Sequence, residues 1–150
     1  MLNKDYKEML QLLLEEQVDF MLVGAYAMGA HGYPRATGDI DIWVKADDKN
    51  SLKVYKTLAK FGAPLKDINV NDFAREGVIF QIGVAPRRID IITQINGVTY
   101  REAEEDKVIV EVEGLKLPVI SLEKLITNKK ATGREKDKLD AQLLIKRKKS

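Results

Sequence analysis

The stretch GAYAMGAHGYPRATGDIDI, residues 24–42, decides the fold of this chain. It ends in the alternation Asp39-Ile40-Asp41-Ile42. Because successive side chains of a β-strand point to opposite faces, we expect the two acids to share one face while the isoleucines enter the core. Two carboxylates side by side repel each other, and proteins commonly place a cation between them. The pair therefore indicates a metal site, with the solvated face of an amphipathic strand as the alternative.

A third acid lies in a second short run of β-branched residues, Arg88-Ile89-Asp90-Ile91-Ile92-Thr93. Such a run is typical of a strand. If this strand lies beside the one that carries Asp39 and Asp41, three carboxylates converge, and they can hold two divalent ions roughly 3.5–4 Å apart for in-line displacement at phosphorus. The chain has no cysteine and one histidine, so oxygen ligands predominate and favour Mg²⁺ or Mn²⁺.

The residues before the acidic strand indicate a place for phosphate. Phe20–Val23 is a short apolar run typical of a strand, Gly24 ends it, and residues 25–30 are small residues that favour a helix. A strand that passes through glycine into a helix presents free backbone N–H groups and the positive end of a dipole. Many such turns bind nothing, and it is the combination with Arg35, Thr37 and the acids that makes this signal specific.

The order strand, glycine, helix, Asp-x-Asp and then a lone Asp on a later strand resembles the DNA polymerase beta-type nucleotidyltransferase superfamily. More narrowly, residues 23–41 are similar to small stand-alone nucleotidyltransferases of bacteria and archaea, a group that includes abortive-infection and toxin–antitoxin type enzymes. Residues 125–140 look like the C-terminal Lys…Arg-x-Lys-Asp-x-x-Asp element of that group. The resemblance covers residues 20–145.

The resemblance implies a role for each matching residue. Asp39 and Asp41 would bind the metals, and Asp90 would be the third ligand and the base toward an acceptor hydroxyl. The turn Gly24-Ala25 would hold the β- and γ-phosphates through backbone N–H groups, although Ala25 lacks the hydroxyl of the serine that many members have there. The other nucleotide-binding residues that it implies are Thr37 and three cations that would neutralise the triphosphate or the leaving pyrophosphate, namely Arg35, Lys129 and Arg134.

The reaction implied by the resemblance is Mg²⁺-dependent transfer of a nucleoside monophosphate from an NTP to an acceptor hydroxyl, with release of pyrophosphate. The acceptor stays open among a small molecule, an RNA end and a protein, and so does the preferred NTP. A homo-oligomer or a partner protein could complete the acceptor pocket. The alternative function is a nucleotide-binding, antitoxin-like regulatory partner with little or no turnover.

Length and composition fit one domain over residues 1–150. The chain has 150 residues, 45% of them hydrophobic, and a formal net charge of +2. We expect an α+β fold, a nucleotidyltransferase-like mixed sheet flanked by helices with a C-terminal helical segment. No apolar run reaches the length of a membrane span and no signal peptide is evident at the start, so the expected location is the cytoplasm without membrane association.

The remaining segments predict the scaffold. Apolar residues at helical spacing predict a helix within residues 5–17, and capping residues predict another over 51–61 that ends at a glycine. Residues 78–84 predict a strand, and residues 108–119 predict a hairpin that turns at Glu113-Gly114. Ser121 is the expected N-cap of the C-terminal helices.

Overall fold

A six-stranded mixed β-sheet forms the centre of the computed structural model, which describes residues 2–34 and 38–149. Its strands run β1 Phe20–Val23, β2 Ile40–Val44, β3 Ile79–Ile82, β4 Ile89–Ile92, β5 Val108–Val112 and β6 Leu115–Val119. They lie side by side in the order β3-β4-β2-β1-β6-β5. β2 is parallel to β4 and β1 is parallel to β6, while the other neighbours are antiparallel. The predicted α+β fold is thereby confirmed.

Six α-helices are described around the sheet. They are α1 Lys4–Glu15, α2 Gly24–Ala30, α3 Asp48–Phe61, α4 Tyr100–Asp106, α5 Leu122–Ala131 and α6 Glu135–Lys149, and a 3₁₀ turn spans Asp72–Ala74. Over residues 2–34 and 38–149 no helix combines the length and the apolar character needed to span a bilayer.

The central strands are apolar on both faces because helices cover both faces. All four residues of β1 are buried, and so are the isoleucines of β2. On one face α1 packs against α3 and β6. On the other face Trp43 of β2 stacks edge-on against Tyr100 of α4, with ring centroids 5.1 Å apart. The sequence of a strand covered on both faces is a nearly continuous hydrophobic run. In β2 and β4 an aspartate interrupts that run.

Most predicted elements are confirmed, and the differences have local causes. α1, the hairpin of β5 and β6 and the Ser121 cap of α5 lie where expected. α3 begins three residues earlier than predicted, because the Asp47 side chain accepts a hydrogen bond from the Asn50 N–H at 2.7 Å and so caps the helix. The β3 strand is limited to Ile79–Ile82.

α4 was not predicted. It begins with a capping box, in which the Thr99 side chain accepts from the Glu102 N–H and the Glu102 carboxylate accepts from the Thr99 N–H. Within the helix the buried residue is Ala103, so there is no amphipathic stripe for a sequence pattern to detect. The helix matters to the site because Tyr100 covers the strand that carries Asp41.

Candidate active site

Two of the three predicted carboxylates are direct neighbours in the sheet. In the parallel pair of β2 and β4, Asp41 is aligned with Asp90. Aligned residues of paired strands point to the same face, so both carboxylates leave the sheet on the same side. Asp39 immediately precedes β2, and by the same alternation it belongs to that face. The predicted meeting of the two acidic strands is therefore observed.

Arg88 lies among the carboxylates and was not predicted as a site residue. Its Nε donates to Asp90 Oδ1 at 2.7 Å and its Nη2 donates to Asp90 Oδ2 at 3.2 Å. The same Nη2 lies 3.2 Å from Asp39 Oδ2, and the Arg88 backbone N–H donates to Asp39 Oδ1 at 3.1 Å. The hydrogen bond to Asp90 raises the pKa of Arg88. One guanidinium therefore neutralises two of the acids.

Asp41 is left with the least charge compensation of the three acids. Burial raises its pKa to about 6, helped by the charge and hydrogen bond of Asp90 and by the charge of Asp39, while Lys129 opposes the rise. The first cause is loss of hydration, which disfavours the charged form of any acid. Asp41 and Asp90 thus form an acidic pair, in which Arg88 contacts Asp90 while Lys129 acts on Asp41 through its charge.

The carboxylate oxygens of these residues suit a divalent cation, but the side chains are not arranged to enclose one. Among residues 2–34 and 38–149, no group of three or more His, Asp or Glu side chains is arranged to enclose a metal ion. Arg88 bridges two of the acids, since its guanidinium contacts both Asp39 and Asp90. The donor set is entirely carboxylate oxygen, which suits Mg²⁺ or Mn²⁺. Asp39, Asp41 and Asp90 are the residues that would hold such an ion.

Gly24 brings the start of α2 against Asp41. Its φ is +65°, and a Cβ on its backbone would overlap the Asp41 carboxylate. Only glycine meets both demands, because it adopts positive φ at little cost and has no side chain to collide. Gly24 and Ala25 consequently line the same cleft as the acids.

We expect Gly24→Ala to destabilise the protein and to disturb Asp41. The left-handed backbone costs about 1–2 kcal/mol for a residue with a Cβ, and the overlap adds about 1–3 kcal/mol of overpacking. Gly62→Ala is the matched control, since Gly62 has a φ of +88° and a Cβ added there would meet nothing within 4 Å. Urea unfolding should show the larger loss for Gly24→Ala; equal losses for the two variants would contradict the overlap.

A cluster of opposite charges joins α5 to α6 above the acids. Lys129 is buried, and its Nζ lies 3.2 Å from Asp137 Oδ1 and 3.3 Å from Asp140 Oδ2. Arg134 Nε donates to Asp137 Oδ2 at 2.9 Å, while 76% of the Arg134 side chain stays exposed. Asp137 thus anchors both Lys129 and Arg134, and Asp140 pairs with Lys129.

A cleft of about 800 Å³ gathers the predicted site residues. It is lined by Gly24, Ala25, Asp39, Asp41, Asp90, Lys129 and Arg134, whereas the predicted residues Arg35 and Thr37 lie outside the described part of the chain. The cleft also includes residues that sequence reasoning missed, namely Arg88, Lys136, Gln81, Gln94, Asn96 and Asn128. The alternation of β4 could have found Arg88, which is two residues from Asp90.

Two conspicuous side chains near the cleft have structural roles. His31 ends α2, and its Nε2 is hydrogen bonded to the Ile120 carbonyl at 2.8 Å. Trp43 is buried beneath Tyr100 and does not line the cleft. A separate apolar cavity of about 540 Å³ lies between α2 and the β5–β6 hairpin, away from the acids.

The sheet order, the flanking helices and the acidic cleft define the nucleotidyltransferase fold. Two solved structures share it over 97% of this chain, each with a TM-score of 0.61. One, a "putative nucleotidyltransferase" from Thermotoga maritima, is 19% identical and is covered over 94% of its length. The other, the lincosamide antibiotic adenylyltransferase LnuA solved with lincomycin bound, is 16% identical and is covered over 97%.

A third likeness is more distant. An antigenic nucleotidyltransferase-like protein from Paracoccidioides brasiliensis aligns with 95% of this chain and 74% of its own, at 14% identity and a TM-score of 0.53. No protein-family model matches the sequence, and no curated protein matches it. At these identities the likeness establishes the fold.

Proposed function

We propose that this chain is a nucleotidyltransferase that transfers a nucleoside monophosphate from an NTP to an acceptor hydroxyl and releases pyrophosphate. The observation that carries the proposal is the alignment of Asp41 with Asp90 inside a cleft that also contains Lys129 and Arg134. One cavity thus contains carboxylates that could bind a metal and cations that could bind phosphates. LnuA, an adenylyltransferase, has the same fold. ATP is therefore the first donor to test.

Asp39, Asp41 and Asp90 would hold Mg²⁺ or Mn²⁺. When bound, such an ion supplies charge stabilisation at the triphosphate and lowers the pKa of the attacking hydroxyl. Asp90 would accept the proton of that hydroxyl, because it lies between Asp41 and Gln81 of the edge strand β3 on the same face of the sheet. Arg88 would leave Asp90 and Asp39 as the site loads.

The helical cations would bind the triphosphate. Arg134 is largely exposed while Asp137 anchors its Nε, so its remaining N–H groups are free to reach a phosphate. Lys136 lines the same cleft and is exposed. Lys129 is held by two carboxylates, which suits it to place positive charge near Asp41 with little movement. Gly24 and Ala25 would add backbone N–H groups opposite.

The test is calorimetric titration of each NTP with Mg²⁺, run beside a pyrophosphate-release assay. We expect Mg²⁺-dependent binding of at least one NTP, lost with EDTA, and pyrophosphate release that depends on the same NTP. If none of the four NTPs binds, the proposal is contradicted. The assay needs no knowledge of the acceptor at first, because water can replace the acceptor hydroxyl slowly.

One observation favours the second candidate, a regulatory nucleotide-binding partner with little or no turnover. Arg88 satisfies two carboxylates in the structure, and a guanidinium that stayed there on nucleotide binding would leave Asp90 unable to accept a proton. Ala25 also offers no hydroxyl to a phosphate. Tight NTP binding without pyrophosphate release, together with co-purification of a defined partner protein, would select this alternative.

A further inference from the structure

We infer that the cleft receives its acceptor in a lobe without charged groups, and that the acceptor is a small, uncharged molecule rich in hydroxyl groups. The inference rests on the proposed function and adds the chemical class of the second substrate. We call this region the amide lobe; it consists of Ile79, Gln81, Ile92, Gln94, Asn96 and Asn128.

The position of the amide lobe follows from the strand order. Gly24 follows β1, Asp41 lies on β2, Asp90 on β4 and Gln81 on the edge strand β3, so these residues succeed one another across the sheet in that order. Gln81 is aligned directly with Asp90, and their side chains share one face. The lobe therefore adjoins Asp90 on the side away from Gly24.

The lobe combines an aliphatic floor with amide groups. Ile79 is aligned with Ile92 in the β3–β4 pair, and Ile79 is 65% exposed although it is a large aliphatic residue. At the far end the Asn128 side chain donates to the Asn96 carbonyl at 3.0 Å, which ties α5 to the loop after β4. Gln94 is exposed beside this floor. Because β3 is an edge strand, the lobe is open to solvent.

Charge is segregated within the cleft. No charged side chain that the structure describes belongs to the amide lobe. The rest of the cleft wall carries the charges, namely Asp39, Asp41, Arg88, Asp90, Lys129, Arg134, Lys136, Asp137 and Asp140. Within the described residues, a triphosphate and its metal have partners only in that second part, which leaves the amide lobe for the other substrate.

The geometry of phosphoryl transfer points the same way. The attacking and leaving oxygens lie roughly in line at the phosphorus. With the pyrophosphate leaving toward the cations, the acceptor hydroxyl arrives from the β3 side. Its oxygen forms a bond to the α-phosphorus as the bond from that phosphorus to the bridging oxygen breaks. The hydroxyl proton passes to Asp90, and the electron pair of the broken bond leaves with the pyrophosphate.

The chemistry of the lobe selects the acceptor class. Carboxamide groups donate and accept hydrogen bonds, which suits hydroxyl and amide groups, and the isoleucines suit the C–H faces of a ring. Nucleic acids bind chiefly through Lys and Arg contacts to phosphate, and the six residues of the lobe offer none. They also offer no carboxylate to a polycation. The cleft of about 800 Å³ must hold the nucleotide as well, so the acceptor is small.

The test uses three pyranose monosaccharides that differ in charge: N-acetylglucosamine (neutral), glucosamine (cationic) and galacturonate (anionic). Each is titrated into ¹⁵N-labelled wild-type protein with Mg²⁺ and a non-hydrolysable NTP analogue. We expect the neutral sugar alone to shift the side-chain amide signals of Gln81 and Gln94. Gln94→Ala should weaken that binding by about tenfold, the order expected for a lost hydrogen bond; Gln11→Ala, an exposed residue of α1, should not.

The outcomes separate the two proposals. If the NTP analogue shifts no signal of Gly24 or Lys129, the proposed function fails. If the analogue binds, but the neutral sugar leaves the amide signals unchanged or a charged sugar shifts them more strongly, the acceptor inference alone is overturned. Acceleration of pyrophosphate release by the neutral sugar would add direct support.

Discussion

Asp41→Asn is expected to lower nucleotidyl transfer by at least about 1,000-fold, because a metal at this site contributes several kcal/mol to the transition state. Asparagine keeps the shape of aspartate but loses the charge that binds a cation. Asp41 is also the acid whose environment raises its pKa, so it has the greatest need of a cation. The measurement is pyrophosphate release at saturating NTP and Mg²⁺.

The same substitution should leave the protein folded and at least as stable without metal. Burial and the nearby acids make the charged Asp41 unfavourable, and asparagine removes that charge. Asp67→Asn, an exposed residue outside the cleft, is the control and should retain full activity. Wild-type turnover by a folded Asp41→Asn protein would refute the assignment of Asp41.

Lys129→Met is expected to cause the largest loss of stability, about 3–5 kcal/mol in the free energy of unfolding. Methionine keeps an unbranched apolar side chain but removes the ammonium group that lies against two buried carboxylates, Asp137 and Asp140. A loss of this size approaches the whole stability of many domains. Urea unfolding at pH 7 measures it, with the exposed neighbour Lys130→Met as control, expected within about 0.5 kcal/mol of wild type.

The stability of the wild type and that of Lys129→Met should change in opposite directions as the pH falls. In the wild type, burial acts to raise the pKa of Asp137, but the hydrogen bond from Thr132 and the charges of Lys129 and Arg134 bring it below 3.8. Ionised Asp137 therefore stabilises the fold above pH 3.8. This stabilisation is lost as the pH falls through the lower pKa that Asp137 has in the folded protein. Without Lys129, burial acts on Asp137 with less opposition and favours its protonated form, so Lys129→Met should gain stability as pH falls from 7 toward 4.

A triple variant separates structure from activity at this cluster. Lys129→Met combined with Asp137→Asn and Asp140→Asn removes the charges of both acids together with that of the lysine and should recover most of the lost stability. It should remain impaired in NTP binding, because the cation near Asp41 is still missing. Full recovery of NTP binding would mean that Lys129 serves the α5–α6 contact alone. Failure to recover stability would contradict the charge explanation.

The central part of the fold could be predicted because it depends on local patterns. Alternation placed Asp39 and Asp41 on one face, and a β-branched run placed Asp90 on a strand. Which strands pair is a nonlocal property, and the alignment of Asp41 with Asp90 joins residues 49 positions apart. The resemblance supplied that adjacency, and the structure adds the register.

The parts that escaped prediction depend on partners distant in sequence or on weak patterns. Alternation from Asp90 could have placed Arg88 on the acidic face, but its contact with Asp39 depends on the pairing of β4 with β2. Which lysine pairs with Asp137 and Asp140 depends on how α5 packs against α6. In the structure that lysine is Lys129. α4 had a capping signal but no apolar stripe. The nucleotide-binding roles of Arg35 and Thr37 stay predictions.

Because the guanidinium of Arg88 balances two of the acids, we expect folding to need no divalent cation. In many small metalloproteins, by contrast, the chain without metal is unfolded. In this chain a side chain two residues from Asp90 already balances two of the acids. A newly synthesised copy can therefore reach its native state before it meets a nucleotide. Under the proposed function, loading would exchange one cation for another, and the phosphates of the nucleotide would give the displaced guanidinium a new anionic partner.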